Sequence, residues 1–588
     1  MAKKTTKGDG AKAKKTTKGD GAKAKGATKV AAAKAKGATK VAAAKAKTAA
    51  GARVETVTLT LDGQELTVPR GTTLLQAAEG AGTEIPHYCY HPGLSSPAMC
   101  RLCLVEVEGS PKLLPSCTTT VTDGQVVHTQ SDDATRMRRG VLEFYLLNHP
   151  LDCPICDQSG ECDLQDHVFA EGREHGRGRE AKRVFGRDDF GGDVLFYGDR
   201  CVMCTRCVRF LEEIEKKPLL TVVERGNRAV IDTFFEEGLE QSDWAGNVVD
   251  ICPVGALVSK DFLHKARAWD LEHTPSICPN CSQGCNIDLH TRDNLVHRMK
   301  PRANSEVNGH WICDYGRIRY EWLNRGDRLE APVVHAEGQN TAMGWTAALE
   351  ALKARIDTLG ESSVKAVVSP FWSNEDLGAV AGLVKALGGG SLVFRSPRAE
   401  EEIALPGYEG LARRKDLAPN VLGAELLGCT RVGDEAGQGG LEELADHEGV
   451  VVVLGDGLDD QPESFAPNAA LVVYLGAYTS SALASADFQF PVTTFAEQEG
   501  TFTNHAGRVQ RFWPALSGPG AARPAWLVLG ALLGALQEEK GPSSAEQAFG
   551  LVVKVVKSYK GLDYETIGAV GGPSKTQVPT TPVPVPGD

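Results

Sequence analysis

The alternation of apolar and polar residues predicts a β-hairpin at the start of the folded chain. Over residues 54–61, threonine alternates with valine and leucine, so that one face is polar and the other is apolar. A period of two is typical of a half-buried strand. Asp62-Gly63 supplies a turn before a second strand at 65–68, because this dipeptide favours tight hairpin turns.

Two helices are predicted from capping residues that precede apolar positions. The first begins after Thr72 or Thr73, and Gly80 or Gly82 ends it. The second begins at Ser131, with acidic residues in its first turn, where the helix dipole favours them. Its predicted apolar face consists of Met137, Val141, Phe144, Tyr145 and Leu147.

The second half of the chain has the pattern of an α/β domain. Continuous apolar runs at 364–368 and 450–454 predict buried strands, and residues 374–387 and 524–536 have helical character. Gly455-Asp456-Gly457 follows a strand but lacks the GxGxxG pattern, so a turn is favoured over a phosphate-binding loop. No apolar stretch reaches the ~18 residues needed to span a bilayer, so no transmembrane helix is expected.

Composition divides the chain into a basic tail and an acidic body. The 588 residues carry a net charge of −12, yet residues 1–50 hold fifteen lysines and only two acidic side chains. Such a repetitive tail is expected to be solvated and disordered, with binding to anionic lipid or nucleic acid as the alternative, and its partner is unknown. The acidic body is not expected to bind nucleic acid stably.

Cysteine usage indicates metal centres. No secretory signal precedes the body, so a reducing cytoplasmic compartment is expected, where sixteen cysteines favour metal ligation over disulfides. The first set is Cys89-x10-Cys100-x2-Cys103 with Cys117, around a predicted strand at 102–107. Two strands, a helix and a cysteine loop resemble a [2Fe-2S] ferredoxin, although the x10 gap departs from the plant-type spacing. A zinc site is the alternative.

The second and third sets lie close together in the sequence. His149 precedes Cys153, Cys156 and Cys162, which places one imidazole and three thiols in fourteen residues. Cys201, Cys204 and Cys207 form the CxxCxxC run of bacterial ferredoxins, and Cys252-Pro253 matches the Cys-Pro that closes such runs. A partition that exchanges Cys162 and Cys252 stays open. Arg200, Arg206 and Arg209 flank the third set, either as a solvated face or as compensation for a negative cluster.

The fourth set completes a count of sixteen ligands. It consists of Cys278, Cys281, Cys285 and Cys313, so that fifteen cysteines and His149 make four sets of four. Only Cys429 is left over, and its apolar neighbours predict a buried structural thiol.

Residues 54–320 resemble the large iron-sulfur subunit of bacterial NADH-quinone oxidoreductase, the 75 kDa subunit of mitochondrial complex I. The resemblance is carried by HPLDCPICDQSGECDLQD at 149–166, RCVMCTRCVRF at 200–210, VVDICPVGAL at 248–257 and the set at 278–313. Residues 487–511 resemble a segment shared with molybdopterin oxidoreductases.

The resemblance implies an α+β multidomain architecture: a β-grasp [2Fe-2S] ferredoxin-like domain, a [4Fe-4S] ferredoxin-like domain, and a truncated, degenerate α/β domain of the molybdopterin-oxidoreductase type. The expected boundaries are a disordered tail at 1–52, the [2Fe-2S] domain at 53–130, a two-cluster [4Fe-4S] domain at 131–270, a further [4Fe-4S] segment at 271–330, the α/β scaffold at 331–572 and a Pro-rich tail at 573–588.

The resemblance also implies the cofactors and their ligands. Cys89, Cys100, Cys103 and Cys117 would hold one [2Fe-2S] cluster. Three [4Fe-4S] clusters would be held by His149, Cys153, Cys156 and Cys162; by Cys201, Cys204, Cys207 and Cys252; and by Cys278, Cys281, Cys285 and Cys313. In that family the fourth cluster lies off the path from flavin to quinone. No molybdopterin and no catalytic side chain are expected.

The function implied is electron relay in NADH:quinone oxidoreductase, a proton-translocating respiratory enzyme. Its partners would be other complex I subunits, including the flavin-bearing and quinone-proximal iron-sulfur subunits, on the cytoplasmic side of the bacterial inner membrane. The alternative is the α subunit of an NAD-linked formate dehydrogenase or a related hydrogenase. No cysteine follows Cys313 until Cys429, and no selenocysteine occurs, which argues against this alternative.

Overall fold

The computed structural model describes residues 55–575, except 234, 235, 361, 456 and 464. The predicted basic tail at 1–52 and nearly all of the predicted tail at 573–588 lie outside these residues. Within 55–575, apart from those gaps, no helix is both long and apolar enough to cross a membrane.

The first unit is a five-stranded sheet packed on a short helix. Its elements are β1 (Thr56–Leu61), β2 (Gln64–Pro69), α1 (Leu74–Gly80), β3 (Leu104–Val107), β4 (Leu114–Pro115) and β5 (Gln125–His128). The strand order is β2-β1-β5-β3-β4, with β1 and β5 parallel. Asp62 and Gly63 both have positive φ, as the hairpin turn requires, and Thr73 caps α1. The predicted hairpin and helix are confirmed, whereas β3 begins two residues later than predicted.

The helix that leads to His149 is α2 (Asp132–Leu146), and Ser131 caps it as predicted. Its predicted apolar face is wrong at three positions. Met137, Phe144 and Leu147 are exposed, with Phe144 at 71%, and the buried residues are Ala134, Arg138 and Leu142.

Arg138 accounts for the difference between the predicted and the observed buried face of α2. Its guanidinium donates to the carbonyl of Thr129 and pairs at 3.2 Å with Glu171 of α3 (Asp163–Glu171). A buried arginine with an acceptor and a counter-charge can occupy an inward position that an apolar pattern assigns to other residues.

The middle of the chain is built from short elements around the cysteines. Its strands are β6 (Arg187–Asp189), β7 (Val194–Tyr197), β8 (Thr221–Val223), β9 (Val230–Asp232), β10 (Leu257–Ser259), β11 (Glu272–Ile277), β12 (Asn286–Arg292) and β13 (Leu295–Pro301). Its helices are α4 (Arg206–Arg209), α5 (Asn247–Asp250) and α6 (Asp314–Ile318). Short elements leave much of the backbone free to turn around each cysteine loop.

The second half is an α/β domain on an eight-stranded sheet of order β15-β14-β23-β22-β21-β16-β17-β20. These strands are β14 (Val333–Ala336), β15 (Gln339–Ala342), β16 (Val364–Val368), β17 (Gly390–Phe394), β20 (Thr430–Arg431), β21 (Val450–Leu454), β22 (Leu471–Gly476) and β23 (Phe488–Pro491). The remaining strands are β18 (Ile403–Ala404), β19 (Ala412–Arg413), β24 (Gly500–Thr503), β25 (Arg508–Phe512) and β26 (Gly572–Pro573). The helices are α7 (Trp345–Leu359), α8 (Asn374–Ala386), α9 (Val421–Leu426), α10 (Ala525–Gln537), α11 (Ala545–Val555) and α12 (Tyr564–Ile567).

The predicted strands 364–368 and 450–454 are β16 and β21, which are parallel neighbours at the centre of the sheet. The predicted helices are confirmed as α8 and α10. From β16 the chain runs outward through β17 to β20, then returns to β21 and continues the other way to β23. The strand order therefore reverses between β16 and β21. Cys429 is 5% exposed, as predicted, and burial raises the pKa of its thiol to about 12.

A buried polar network anchors the first turn of α8. Glu375, 1% exposed, accepts hydrogen bonds from the backbone N–H and the hydroxyl of Thr501, both at 2.9 Å, and from the Tyr564 hydroxyl at 3.0 Å. Burial outweighs these bonds and raises the pKa of Glu375 to about 7.

We expect Glu375→Gln to remove a pH dependence of stability. The folded chain keeps a proton on Glu375 that the unfolded chain releases, so this group lowers stability as pH rises from about 4.5 to about 7. The loss is on the order of 3 kcal/mol above that window. Calorimetric unfolding at pH 5 and pH 8 should show that Glu375→Gln is more stable than the wild type at pH 8 only. Exposed Glu350→Gln on α7 is the control, and a gain that does not depend on pH would contradict the assignment.

Candidate metal centres

The first cysteine set lies inside the five-stranded unit. Cys89, Cys100, Cys103 and Cys117 are each at most 4% exposed. The thiols of Cys100 and Cys117 lie beside Cys89, and hydrogen bonding to them lowers the pKa of Cys89. Arg101, between two of the cysteines, has φ 57°. A left-handed conformation is unfavourable for a side-chain-bearing residue, so the loop is held in this turn by its surroundings.

The third set surrounds one small cavity. Cys201, Cys204, Cys207 and Cys252 line a cavity of about 20 Å³. Met203 and Thr205, which lie between the cysteines, have φ 51° and 58°. The Met203 N–H donates to the Cys201 sulfur at 3.3 Å. The structure thus brings Cys252 together with the CxxCxxC run.

The second set is the one nearest the surface. Cys153 is exposed, whereas Cys156 and Cys162 are each 9% exposed. His149 is half-buried, and burial, followed by the charges of Arg200 and Lys182, lowers its pKa to about 4. The imidazole is therefore neutral at pH 7, which is the form that binds metals.

The fourth set is buried throughout. Cys278, Cys281, Cys285 and Cys313 are each at most 4% exposed, and burial raises the pKa of Cys278 to about 12. Cys313 caps α6, and its sulfur accepts a hydrogen bond from the Gly316 N–H at 3.3 Å.

The donor chemistry of the third and fourth sets fits an iron-sulfur cluster. Burial raises the pKa of every thiol in both sets, and that of Cys252 to about 11. Four buried thiols side by side become thiolates only where a strong positive charge, such as bound iron, offsets the loss of hydration.

The flanking arginines are buried, which excludes the alternative of a solvated face. Arg200, Arg206 and Arg209 are 4%, 7% and 8% exposed. Arg209 donates to the carbonyls of Cys89 at 2.6 Å and Cys204 at 3.3 Å. It therefore joins the first cysteine loop to the third, and it places positive charge beside both.

Two glycines touch cysteine sulfurs, and sequence reasoning missed both. A methyl group on Gly255 would lie 2.2 Å from the Cys156 sulfur, and one on Gly316 would lie 3.0 Å from the Cys278 sulfur. Only glycine fits such an approach. Gly255 belongs to the VVDICPVGAL motif, but the spacing of that motif gives no sign that it packs on the second set.

A single metal ion requires ligands that converge on one point, whereas a cluster requires ligands placed around a group of atoms. Among the residues that the structure describes, no three His, Cys, Asp or Glu side chains converge closely enough to hold one metal ion. A tetrahedral zinc site would require thiolates at about 2.3 Å from one centre. In the third set, the four cysteines instead line one cavity.

Family models match five parts of the chain. They are a 2Fe-2S iron-sulfur cluster binding domain at 54–132, the NADH-ubiquinone oxidoreductase-G iron-sulfur binding region at 138–177, and the ferredoxin-like domain of NADH-quinone oxidoreductase subunit 3 at 191–258. A molybdopterin oxidoreductase Fe4S4 domain follows at 271–325, and a molybdopterin oxidoreductase model matches 422–535. The chain is therefore an α+β multidomain protein of ferredoxin-like and molybdopterin-oxidoreductase-like parts.

Two similar proteins match part of this chain. A subunit of NADH-quinone oxidoreductase from Rickettsia bellii is 42% identical over 320 residues, which cover 54% of this chain and 46% of that protein. The chain thus matches about half the length of this relative. A chain of an NAD⁺-reducing [NiFe]-hydrogenase, solved in the H₂-reduced state, is 32% identical and covers 36% of this chain and 90% of its own length, with a TM-score of 0.33.

A longer match extends across the α/β domain. The mitochondrial NADH-ubiquinone oxidoreductase 78 kDa subunit of Candida albicans is 30% identical over 601 aligned residues, covering 82% of this chain and 83% of that subunit. The chain therefore belongs to the family of the large iron-sulfur subunit of NADH-quinone oxidoreductase, as the cysteine motifs predicted.

Proposed function

We propose that this chain relays electrons within an NADH:quinone oxidoreductase, from a flavin-bearing subunit toward quinone. The observation that carries the proposal is that one continuous buried core contains cysteines of all four sets, among them Cys89, Cys162, Cys252 and Cys313. Centres held in a single core keep fixed separations. Fixed separations are what a relay of one-electron carriers requires.

The proposed ligands follow the four sets. One [2Fe-2S] cluster is assigned to Cys89, Cys100, Cys103 and Cys117. Three [4Fe-4S] clusters are assigned to His149 with Cys153, Cys156 and Cys162, to Cys201, Cys204, Cys207 and Cys252, and to Cys278, Cys281, Cys285 and Cys313. When bound, such clusters supply one-electron redox chemistry.

The protein contributes position and electrostatic tuning. The N–H groups of Met203 and Gly316 donate to the sulfurs of Cys201 and Cys313, each at 3.3 Å. Hydrogen bonds to sulfur stabilise the more negative state and raise a potential, and buried Arg209 acts in the same direction. No side chain needs to act as an acid or a base.

The second set supplies the proposed contact with another electron carrier. Cys153 is exposed and lies between Leu151 and Ile155, which are 90% and 61% exposed. Phe144 of α2 and Phe169 of α3 are exposed as well. An exposed ligand flanked in the chain by two exposed apolar side chains suits a protein partner that excludes water. We assign this partner to the iron-sulfur subunits of complex I, at the cytoplasmic face of the bacterial inner membrane.

A molybdenum enzyme such as a formate dehydrogenase α subunit is the second candidate, because the family models include a molybdopterin oxidoreductase part. The absence of cysteine between Cys313 and Cys429 argues against it, since no thiolate is available there as a molybdenum ligand.

Metal analysis of the purified full chain tests the cluster assignment. We expect about fourteen irons, with matching acid-labile sulfide, from one [2Fe-2S] and three [4Fe-4S] clusters. EPR of the reduced protein should show both cluster types. Stoichiometric zinc without visible charge-transfer absorption would contradict the relay, and stoichiometric molybdenum with formate oxidation would favour the second candidate.

Substitution of His149 tests the histidine ligand. A neutral imidazole makes the cluster less negative than a fourth thiolate would, so we expect His149→Cys to retain the cluster at a lower midpoint potential. His149→Ala should weaken the cluster. EPR-monitored redox titration measures both effects. Unchanged spectra in both variants would remove His149 from the ligand set, and exposed His175→Ala is the control.

Gly255→Ala tests the packing of the second set. The added methyl group would overlap the Cys156 sulfur, which would be 2.2 Å away, so we expect loss of the second-set EPR signal and about four irons fewer per chain. The control is Gly550→Ala on α11, where an added methyl group meets nothing within 4 Å. Full iron content in Gly255→Ala would show that Cys156 is not a ligand in this geometry.

A further inference from the structure

A small cavity is bordered by the loop of the second cysteine set and by helices next to the third and fourth sets. Its volume is about 50 Å³, which is room for a few water molecules. The charged side chains that line it include Asp157 and Glu161 of the loop, Asp250 of α5, Lys300 of β13 and Arg317 of α6. The Lys300 side chain is 25% exposed, so water can reach its ammonium group.

Two cations share one carboxylate at this cavity. Arg298 and Lys300 lie on the same face of β13, because residues two apart in a strand point to the same side. Arg298 binds both oxygens of Glu161, at 2.9 and 2.8 Å, whereas the Lys300 ammonium reaches one of them at 3.4 Å. In the part of the chain that the structure describes, no other carboxylate lies within 4.0 Å of this ammonium. The group of three therefore carries one excess positive charge while Lys300 is protonated.

Further titratable and charged groups surround Lys300 on the elements packed against it. They are Asp157, Asp193, Asp250, Asp261, Arg317 and Tyr320 at the cavity, and His273, Asp288 and His290 on β11 and β12. Burial, followed by the charge of Arg298, lowers the pKa of both histidines, so both are neutral near pH 7. Glu161 and Asp250 attract the ammonium, but each is already paired with an arginine, at 2.8 and 2.6 Å. The hold of these carboxylates on the Lys300 proton is correspondingly weak.

Lys300 is the cation of this group that can lose its proton. An arginine stays charged, whereas a lysine in a desolvated site deprotonates readily. Burial, followed by the charge of Arg298, lowers the pKa of Lys300. Glu161 directly precedes Cys162, so an electron on the second-set cluster adds negative charge beside this group. Added negative charge favours the ammonium form of the lysine.

We propose that Lys300 takes up a proton when the second-set cluster is reduced. One electron enters the cluster from its electron donor, one proton passes from cavity water to the Lys300 amine, and no bond between heavy atoms forms or breaks. Oxidation of the cluster returns the proton to water. Because this proton uptake rests on the proposed function through the second-set cluster, it requires that cluster, but it does not require a partner subunit.

EPR-monitored redox titration of the full, cluster-loaded chain between pH 6 and pH 10 tests the proton uptake. We expect the midpoint potential of the second-set cluster to be constant at low pH. It should fall once the pH exceeds the pKa of Lys300 in the oxidised protein, because reduction then includes uptake of a proton. At a fixed potential, the ratio of reduced to oxidised cluster should fall by up to about tenfold per pH unit, which is about 59 mV for one electron.

Two substitutions of Lys300 should remove the pH dependence in opposite ways. Lys300→Arg keeps its charge, so the potential should stay at the low-pH level of the wild type at every pH. Lys300→Gln has no charge, so the potential should stay at the high-pH level. The control is Lys353→Gln on α7, which removes a lysine paired with Asp357 at 2.7 Å and should follow the wild type.

Iron content and potential together separate the possible outcomes. A constant wild-type potential from pH 6 to pH 10 would overturn the proposal, as would a wild-type pH dependence in Lys300→Arg. If Lys300→Gln loses iron, Lys300→Arg decides alone. A wild-type chain without clusters would count against the proposed function. A fully loaded chain whose potentials do not depend on pH would count against proton uptake by Lys300 only.

Discussion

The cost of burying thiolate charge governs the first half of this protein. Thirteen of the fifteen cysteines in the four sets are buried, and burial raises the pKa of every thiol in the third and fourth sets. The thiols can ionise together only where iron balances their charge. The protein adds smaller contributions, namely backbone N–H groups aimed at sulfur and the buried guanidinium of Arg209 between two loops. Assembly of the metal groups and formation of this core are therefore one process.

The sequence predicted those features that depend on local patterns. The hairpin at Asp62-Gly63, the caps at Thr73 and Ser131, and the buried strands at 364–368 and 450–454 all follow from periodicity and capping chemistry. The apolar face of α2 could not be predicted, because Arg138 turns inward to an acceptor and a counter-charge supplied by Thr129 and Glu171. Both partners lie outside the helix, so no pattern within the helix reveals them.

The candidate sites likewise combine features that local spacing predicts with features that depend on tertiary contacts. Spacing led to the sixteen proposed ligands, since loops that wrap a metal group place several cysteines at short intervals. The assignment of Cys252 to the third set came from the family resemblance. The glycines that let other segments approach those cysteines were missed. Gly255 lies against Cys156 from a segment about a hundred residues away, and only the tertiary structure reveals this contact. The exposed position of Cys153 was also beyond prediction, because exposure depends on how α2 and α3 pack.

The fourth set connects the ferredoxin-like half to the α/β domain. Asn247, which is fully buried, donates to the carbonyl of Ile312 at 2.9 Å and accepts from the Ile312 N–H at 3.1 Å. Asp250 and Arg317 pair at 2.6 Å beside this contact. Cys252 and Cys313 are close to these residues in the chain, so their positions cannot change independently. Toward the α/β domain, the side-chain amide of Gln510 on β25 donates a hydrogen bond to the carbonyl of Gly284, which lies between Cys281 and Cys285. A cluster held here can lie off an electron path and still fix the two halves of the chain relative to each other.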